Sequence, residues 1–337
     1  MLYVGLDVHW KTSTLCILDA NGQEVKCRTF AHGGGWQALL RECQAIKEPF
    51  SVAFEASCGY GYLHDELGKL AQRVVVAHPG QVRLIFRSKR KSDRVDSRKL
   101  AKLLYLGEVP PVHVPSTQIR QWREMIEYRQ AMVAKRVRTK NALRALLRGQ
   151  GIAAPRGLWT GKGLAWLKTI AMDGQLRTVR RDMLLEELEL FSRQIPAVTR
   201  QLDVAGQAHP GVSLLETIPG VGPRTAEAFV AYVDQAQRFG SVHSVGAYLG
   251  MVPCQDSSAG VNRLGHITRE GPATARKLLV EACWQMIRRS PRVRELFERL
   301  CHGKKERRKT ALVAVARHAA CWMLSMLHSG ECWREAA

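Results

Sequence analysis

The first 112 residues constrain the fold more than any other part of the chain. "LYVGLDV" alternates apolar side chains and ends on an acid, the pattern of a half-buried strand. "STLCILDANGQEVKCRTF" follows, two β-rich runs separated by "DANG", a hairpin signal. "GWQALLRECQAI" has helical periodicity, "SVAFEAS" reads as a fourth strand, "GYLHDELGKLAQ" as a helix and "RVVVAHP" as a further apolar strand. A helix carrying Asp93 and Asp96 closes the series. Three strands joined by hairpins, then alternating helices and strands, predict an α/β domain built on one mixed sheet.

This is the element order of a ribonuclease-H-like fold, in which the first strand lies at the sheet centre beside the fourth. Asp7 ends the first strand and Glu55 the fourth, so the two carboxylates are expected side by side at one sheet edge. Asp93 and Asp96, at i and i+3, lie on one face of their helix. Packing that helix across the sheet gathers four carboxylates, which repel and drive some to protonate unless a cation compensates them. Mg²⁺, or Mn²⁺ in its place, is a hard cation that binds a few carboxylates plus substrate phosphate. Two such ions stabilise the attacking and leaving oxygens of phosphoryl transfer. Taken alone, "RKSDRVDSRKLAK" reads as a first helical turn making surface ion pairs. Asp7 and Glu55 at two strand ends move the reading to a cation site. Lys89, Arg90, Lys91 and Arg94 are candidates for holding a nucleic-acid backbone there, or are solvated charges. Cys58, close to Glu55, is read as packing because a thiol is a poor Mg²⁺ ligand, and His9 is assigned no role.

The remaining chain is basic and largely helical. Lys and Arg number 51 against 30 acids in 337 residues, a net charge of +21, which points to a nucleic-acid partner but to no reaction. After the Pro-rich "PPVHVPS", one long helix is predicted from Ser116 to Arg148, with nine basic and two acidic residues. Ile119, Trp122, Ile126, Val133 and Val137 make a narrow apolar stripe of coiled-coil type on it. "RRDMLLEELELFSRQIPAVTRQL" supplies a second amphipathic helix, able to pair with the first within one chain or between protomers. Residues 113–205 are therefore expected to form a helical middle domain, between an α/β domain at 1–112 and a mainly helical domain at 206–337. In the last, "IPGVGP" resembles the turn of a helix-hairpin-helix element, where Gly220 and Gly222 let backbone approach phosphate, or else it is an ordinary helix connection. "MVPCQDSSAGVNRLGHITREGPATAR" places Ser257 and Ser258 in a Gly-rich loop ahead of Arg263, His266 and Arg269. A serine there can attack a phosphodiester beside stabilising cations, although on the residues alone an ordinary turn serine is the plainer reading. Nine cysteines without a CxxC pair read as reduced thiols of a cytosolic protein. The apolar stretch "ALVAVARHAACWMLSML" is broken by Arg317 and His318 and is expected to be a buried helix rather than a membrane span.

"GLDVHW", "FEASCGY", "KSDRVDSRKLAKLL" and the Pro-x-x-x-Ser-Ser segment, in this order and with "IPGVGP" between, resemble the DEDD transposases of insertion-sequence family one-ten. The resemblance covers about residues 2 to 330. It implies a RuvC-like (RNase H fold) DEDD domain at 1–112, where Asp7, Glu55, Asp93 and Asp96 bind Mg²⁺. It implies a transposase domain at 206–337 whose loop serine attacks DNA and forms a transient phosphoserine link. Counting from Pro253 favours Ser258 as that nucleophile, and aligning back from "ITREG" can favour Ser257. Ala259 stands where the family loop commonly has glycine. The resemblance further implies double-stranded donor and target DNA, a structured non-coding guide RNA, a homo-oligomer (dimer or tetramer), and a cytoplasmic protein associated with the nucleoid. A metal-dependent nuclease or junction resolvase acting by hydrolysis is the alternative that the same four acids allow.

Overall fold

The computed structural model describes residues 1–57, 59–85, 92–258 and 261–335. They form two compact units, Met1–Arg120 and Gln121–Ala337.

In the first unit the order is β1 (Leu2–Val8), β2 (Thr12–Leu18), β3 (Glu24–Ala31), α1 (Gln37–Gln44), β4 (Phe50–Glu55), α2 (Tyr60–Leu67), β5 (Arg73–Ala77), α3 (Pro79–Ile85) and α4 (Asp93–Leu106). The sheet runs β3-β2-β1-β4-β5. β1 pairs antiparallel with β2 and parallel with β4, so the expected central placement holds. Alternation along the strands divides the side chains between two faces. Val4, Leu6, Val52 and Phe54 face one side and pack with Leu39 and Cys43 of α1 and Leu63 and Leu67 of α2. Tyr3, Cys16, Leu18, Ala53 and Val75 face the other and pack with Ala101, Leu104 and Tyr105 of α4.

Gly5 fixes how α4 lies on that second face. A Cβ at Gly5 would stand 2.0 Å from the Ser97 carbonyl oxygen and 2.4 Å from the Ala101 amide nitrogen. The α4 backbone thus rests directly on β1, and only glycine leaves room for it. Cys16 and Ala53, the Cα partners of Gly5, keep the flanking positions small. The helix is started by Ser92, whose extended backbone and side-chain oxygen cap the amide of Val95. It is stopped by Gly107 in the left-handed conformation.

The second unit contains α5 (Thr117–Arg148, begun in the first unit), α6 (Gly161–Thr169), α7 (Gln175–Gln207), α8 (Pro210–Glu216), α9 (Pro223–Val233), α10 (Ser244–Tyr248), β6 (Pro253–Ser258), β7 (Val261–Ile267), α11 (Ala273–Arg289), α12 (Pro291–Cys301) and α13 (Arg308–Ser329). α5 and α7 pair antiparallel within the chain, as Arg129 donates to Thr199 and Thr139 to Glu187. The contact stripe on α5 differs from the expected one. Val137 is exposed, and the buried positions run Trp122, Ile126, Met132, Thr139, Leu143. A polar residue, Thr139, fills the face because its hydroxyl has a carboxylate partner across the interface. Near the far end Leu143, Leu147, Leu158, Leu167, Leu185 and Leu188 close a small core.

α9 is the buried axis of the rest of the unit, with every residue from Thr225 to Val233 covered. It carries one acid, Glu227, whose carboxyl burial pushes up to about 7 against the pull of Arg224 and Arg129. α13 with the short 3-10 turn before it, together Lys305–Ser329, is the one described helical stretch long and apolar enough to cross a membrane, and half of that apolar window is buried. Its buried positions, from Ala311 through Val315 and Ala319 to Met323, pack in the helical core of this unit. The predicted serine loop is instead a two-stranded ribbon, β6 against β7, paired Asp256↔Arg263 and Ser257↔Asn262.

Gly5→Ala is expected to destabilise the first unit toward the upper end of the overpacking range, about 1–3 kcal/mol. Thermal unfolding checks it, and an unchanged transition would contradict the backbone contact at Gly5.

Candidate active site

The seat at Gly5 determines which acids meet. Asp7 lies two residues beyond Gly5 on the same face of β1, about 7 Å further along. Asp93 lies one turn before Ser97 on the same stripe of α4, about 6 Å back along the helix. The two steps match, so Asp93 arrives over Asp7. His9, two residues beyond Asp7, is carried to the same place: its Nε2 lies 3.5 Å from Asp7 Oδ2 and 3.9 Å from Asp93 Oδ1. One ligand atom from each of Asp7, His9 and Asp93 falls within 4.8 Å of the others, a separation a single cation can bridge. Asp7 is the more enclosed, with 20% of its side chain accessible, while His9 and Asp93 are about half exposed. The group is open to a large anionic ligand.

From the sequence His9 lies near Asp7 and could touch phosphate or solvent, with no role assigned. The signal was present, since Asp-x-His at a strand end puts both side chains on one face. It gains meaning only once a helix delivers a third ligand.

Glu55 ends β4, and its register places it beside Asp7: Leu6 pairs Phe54, and each acid is the next residue. It does not enter the group within 4.8 Å, nor does Asp96. Asp96 lies to one side of the α4 stripe that faces β1, where Lys99 Nζ approaches its Oδ1 at 3.2 Å. Asp93 and Asp96 also occupy the first turn of α4, where carboxylates are favoured by the helix dipole. Arg94 is exposed in that turn. Lys89, Arg90, Lys91, Cys58 and Ala259 lie outside the described residues.

The serines belong to the second unit. Ser258 ends β6. The Ser257 hydroxyl donates to Asn262 Oδ1 at 2.7 Å and accepts from Gln255 Nε2 at 2.9 Å. Arg263 and His266 are exposed on β7. Arg269 follows in the left-handed conformation, φ 59°, and its carbonyl is held by Arg276. In the "IPGVGP" turn the two glycines differ. A Cβ on Gly220 would lie 2.5 Å from the Met286 amide of α11, so this glycine admits protein backbone. Gly222 precedes α9 and has open space where a Cβ would be.

Residues 4–151 match the DEDD transposase family of IS110 elements, and residues 212–298 match the family described as "Transposase IS116/IS110/IS902 family". The chain belongs to the IS110 family of transposases. Such enzymes cleave and rejoin DNA. It is 27% identical to a Pseudomonas aeruginosa protein described as "Probable family 20 transposase", over 83% of this chain and 84% of that one. It is 28% identical to the transposase for insertion sequence element IS1328 of Yersinia enterocolitica, over 72% of each chain. It is 23% identical to the transposase for insertion sequence element IS1111A of Coxiella burnetii, over 85% of this chain and 78% of that one. The Asp7, His9 and Asp93 donors suit the divalent cation such a transposase uses, and the imidazole tolerates Mn²⁺ better than Mg²⁺.

Mg²⁺ or Mn²⁺ is expected to raise the melting temperature of the EDTA-stripped transposase, since a ligand at about 100 times its Kd adds about 2.7 kcal/mol. Asp7→Asn and Asp93→Asn should abolish the shift in scanning calorimetry. A full shift in both variants would place the cation elsewhere.

Proposed function

We propose that this transposase recombines DNA through a phosphoserine intermediate formed by Ser258, with the scissile phosphate held at the acidic group of the first unit. The observation that carries the proposal is the Asp7, His9 and Asp93 group at the end of β1 and β4, in a chain of net charge +21. Asp7, His9 and Asp93, with Glu55 and Asp96 as further carboxylates at the same edge, would hold Mg²⁺ or Mn²⁺. The bound cation supplies positive charge to the phosphate oxygens. Ser258 Oγ forms a bond to phosphorus, the bond to the leaving deoxyribose oxygen breaks, and the serine proton is released as that oxygen takes one up. The reverse step on a new strand end rejoins DNA with no net loss of a phosphodiester.

Ser258 is favoured over Ser257 by the hydrogen bonds of the ribbon. Ser257 donates its proton to an amide oxygen, Asn262 Oδ1, which is too weak a base to remove it. That pair holds Ser257 in place rather than activating it. Arg263 and Arg269 on and after β7, Arg94 beside the acids, and the segment Lys89–Lys91 are assigned to the nucleic-acid backbone. Gly222 opens the N-terminus of α9 to phosphate, with Gly220 seating the turn. We assign residues 1–112 as a RuvC-like domain, 113–205 as a helical connector and 206–337 as the transposase domain. Two DNA sites must be held together, so the working form is a homo-oligomer. Base pairing to a structured guide RNA selects the sites, a reading supported by the resemblance of the motifs alone.

With cognate guide RNA, both DNA sites and Mg²⁺, a denaturing protein gel is expected to show a covalent DNA adduct. Ser258→Ala should remove the adduct and recombination together, and Ser257→Ala should keep both. Cleavage that persists without adduct in the double serine variant would instead support hydrolysis.

A further inference from the structure

The β1–β2 connection is only three residues, His9-Trp10-Lys11, closed by the His9 amide on the Thr12 carbonyl at 2.9 Å. Tips of tight connections favour Gly, Asn, Asp and Ser, which tolerate the turn and water. Here the tip carries an indole with 57% of its surface exposed.

That indole is held firmly. Trp36 meets it edge to face, with centroids 5.6 Å apart and planes at 84°. Trp36 in turn packs on the His32 ring at 5.6 Å. The His32 amide donates to the Lys11 carbonyl at 2.9 Å, tying this segment to the turn. Gly34, at φ 90°, has its missing Cβ 3.1 Å from Trp10 Nε1, so the ring lies against bare backbone. "HGGGW", His32 to Trp36, is a seat for the Trp10 edge, and it leaves ring surface to solvent.

The position decides what that surface can meet. Trp10 follows His9 directly, and His9 lies within 4 Å of both Asp7 and Asp93. A DNA strand whose phosphate sits at this group brings its neighbouring nucleotide to the turn. A buttressed, half-exposed indole is a surface for an unpaired base, because every base offers a π-face whatever its identity.

We propose that Trp10 is a stacking platform for one unpaired nucleobase of the DNA strand held at Asp7, His9 and Asp93. This rests on the reading of that group as the phosphate site. Trp10 would then favour strands that are locally unpaired beside the scissile phosphate, without reading their sequence.

The test uses the full chain with Ca²⁺ in place of Mg²⁺ to hold off cleavage. The probes are a single-stranded DNA oligonucleotide carrying 2-aminopurine and a fully paired duplex of the same sequence. Trp10→Leu keeps apolar cover over Trp36 but has no π-face, and Trp10→Tyr restores one. Melting curves of both variants confirm that the seat survives. Wild type is expected to quench 2-aminopurine. Trp10→Leu should lose the quenching and about tenfold or more in single-strand affinity, with duplex affinity unchanged, and Trp10→Tyr should recover most of both. Equal quenching in Trp10→Leu, an equal loss for duplex, or a loss confined to guide RNA would overturn the proposal. Adduct formation, scored separately in Mg²⁺, distinguishes failure here from failure of the phosphoserine reading.

Discussion

The first unit depends on one contact between backbones. α4 lies on β1 because residue 5 has no side chain, with the Ser97 carbonyl where a Cβ would be. From there the spacing of helix and strand does the rest. One turn of α4 and two residues of β1 cover similar lengths, so Asp93 and Asp7 meet at the sheet edge. The same contact brings His9 in, since the strand alternates and His9 shares the face of Asp7. Without this seating, these would be three polar residues at separate element ends.

Much of this was legible in the sequence because the first unit uses strong periodic signals. Alternating "LYVGLDV" and the "DANG" turn specify β1 to β3, and Asp7 and Glu55 mark the ends of β1 and β4. His9 was not legible as part of the group, because the group forms only once a helix from 84 residues later in the chain is placed. The ribbon of β6 and β7 leaves no periodic signal, because its residues are mostly polar and exposed and show no apolar alternation. Val137 looked like part of the α5 stripe on apolarity, but Thr139 takes the buried position through its bond to Glu187. Hydrogen bonding overrides a hydrophobic pattern where a buried hydroxyl finds a partner.

The second unit shows how polar groups set a helical architecture. Arg123 donates to the carbonyls of Ala231 and Tyr232 at the end of α9. Glu127, one turn along α5, accepts from the Tyr232 hydroxyl and from Thr274 at the start of α11. Burial, with the Glu127 bond, holds the Tyr232 hydroxyl protonated far above the ordinary tyrosine range. Arg276 then grips the carbonyls of Leu249, Arg269 and Glu270 where the ribbon leaves the helices. A continuous set of polar clamps thus runs from α5 to the root of the strand that carries the serines. Within this unit the exposed ribbon of β6 and β7 therefore stands on a base fixed by polar contacts.

In the proposed site Asp7, His9 and Asp93 hold one divalent cation. Pulsed electron paramagnetic resonance of the transposase loaded with a single equivalent of Mn²⁺ tests it directly. Imidazole nitrogen coupling is expected in the wild type and should vanish in His9→Ala, with Mn²⁺ still bound through the two aspartates. Tightly bound Mn²⁺ with no nitrogen coupling in the wild type would contradict a cation held by His9 together with the two aspartates.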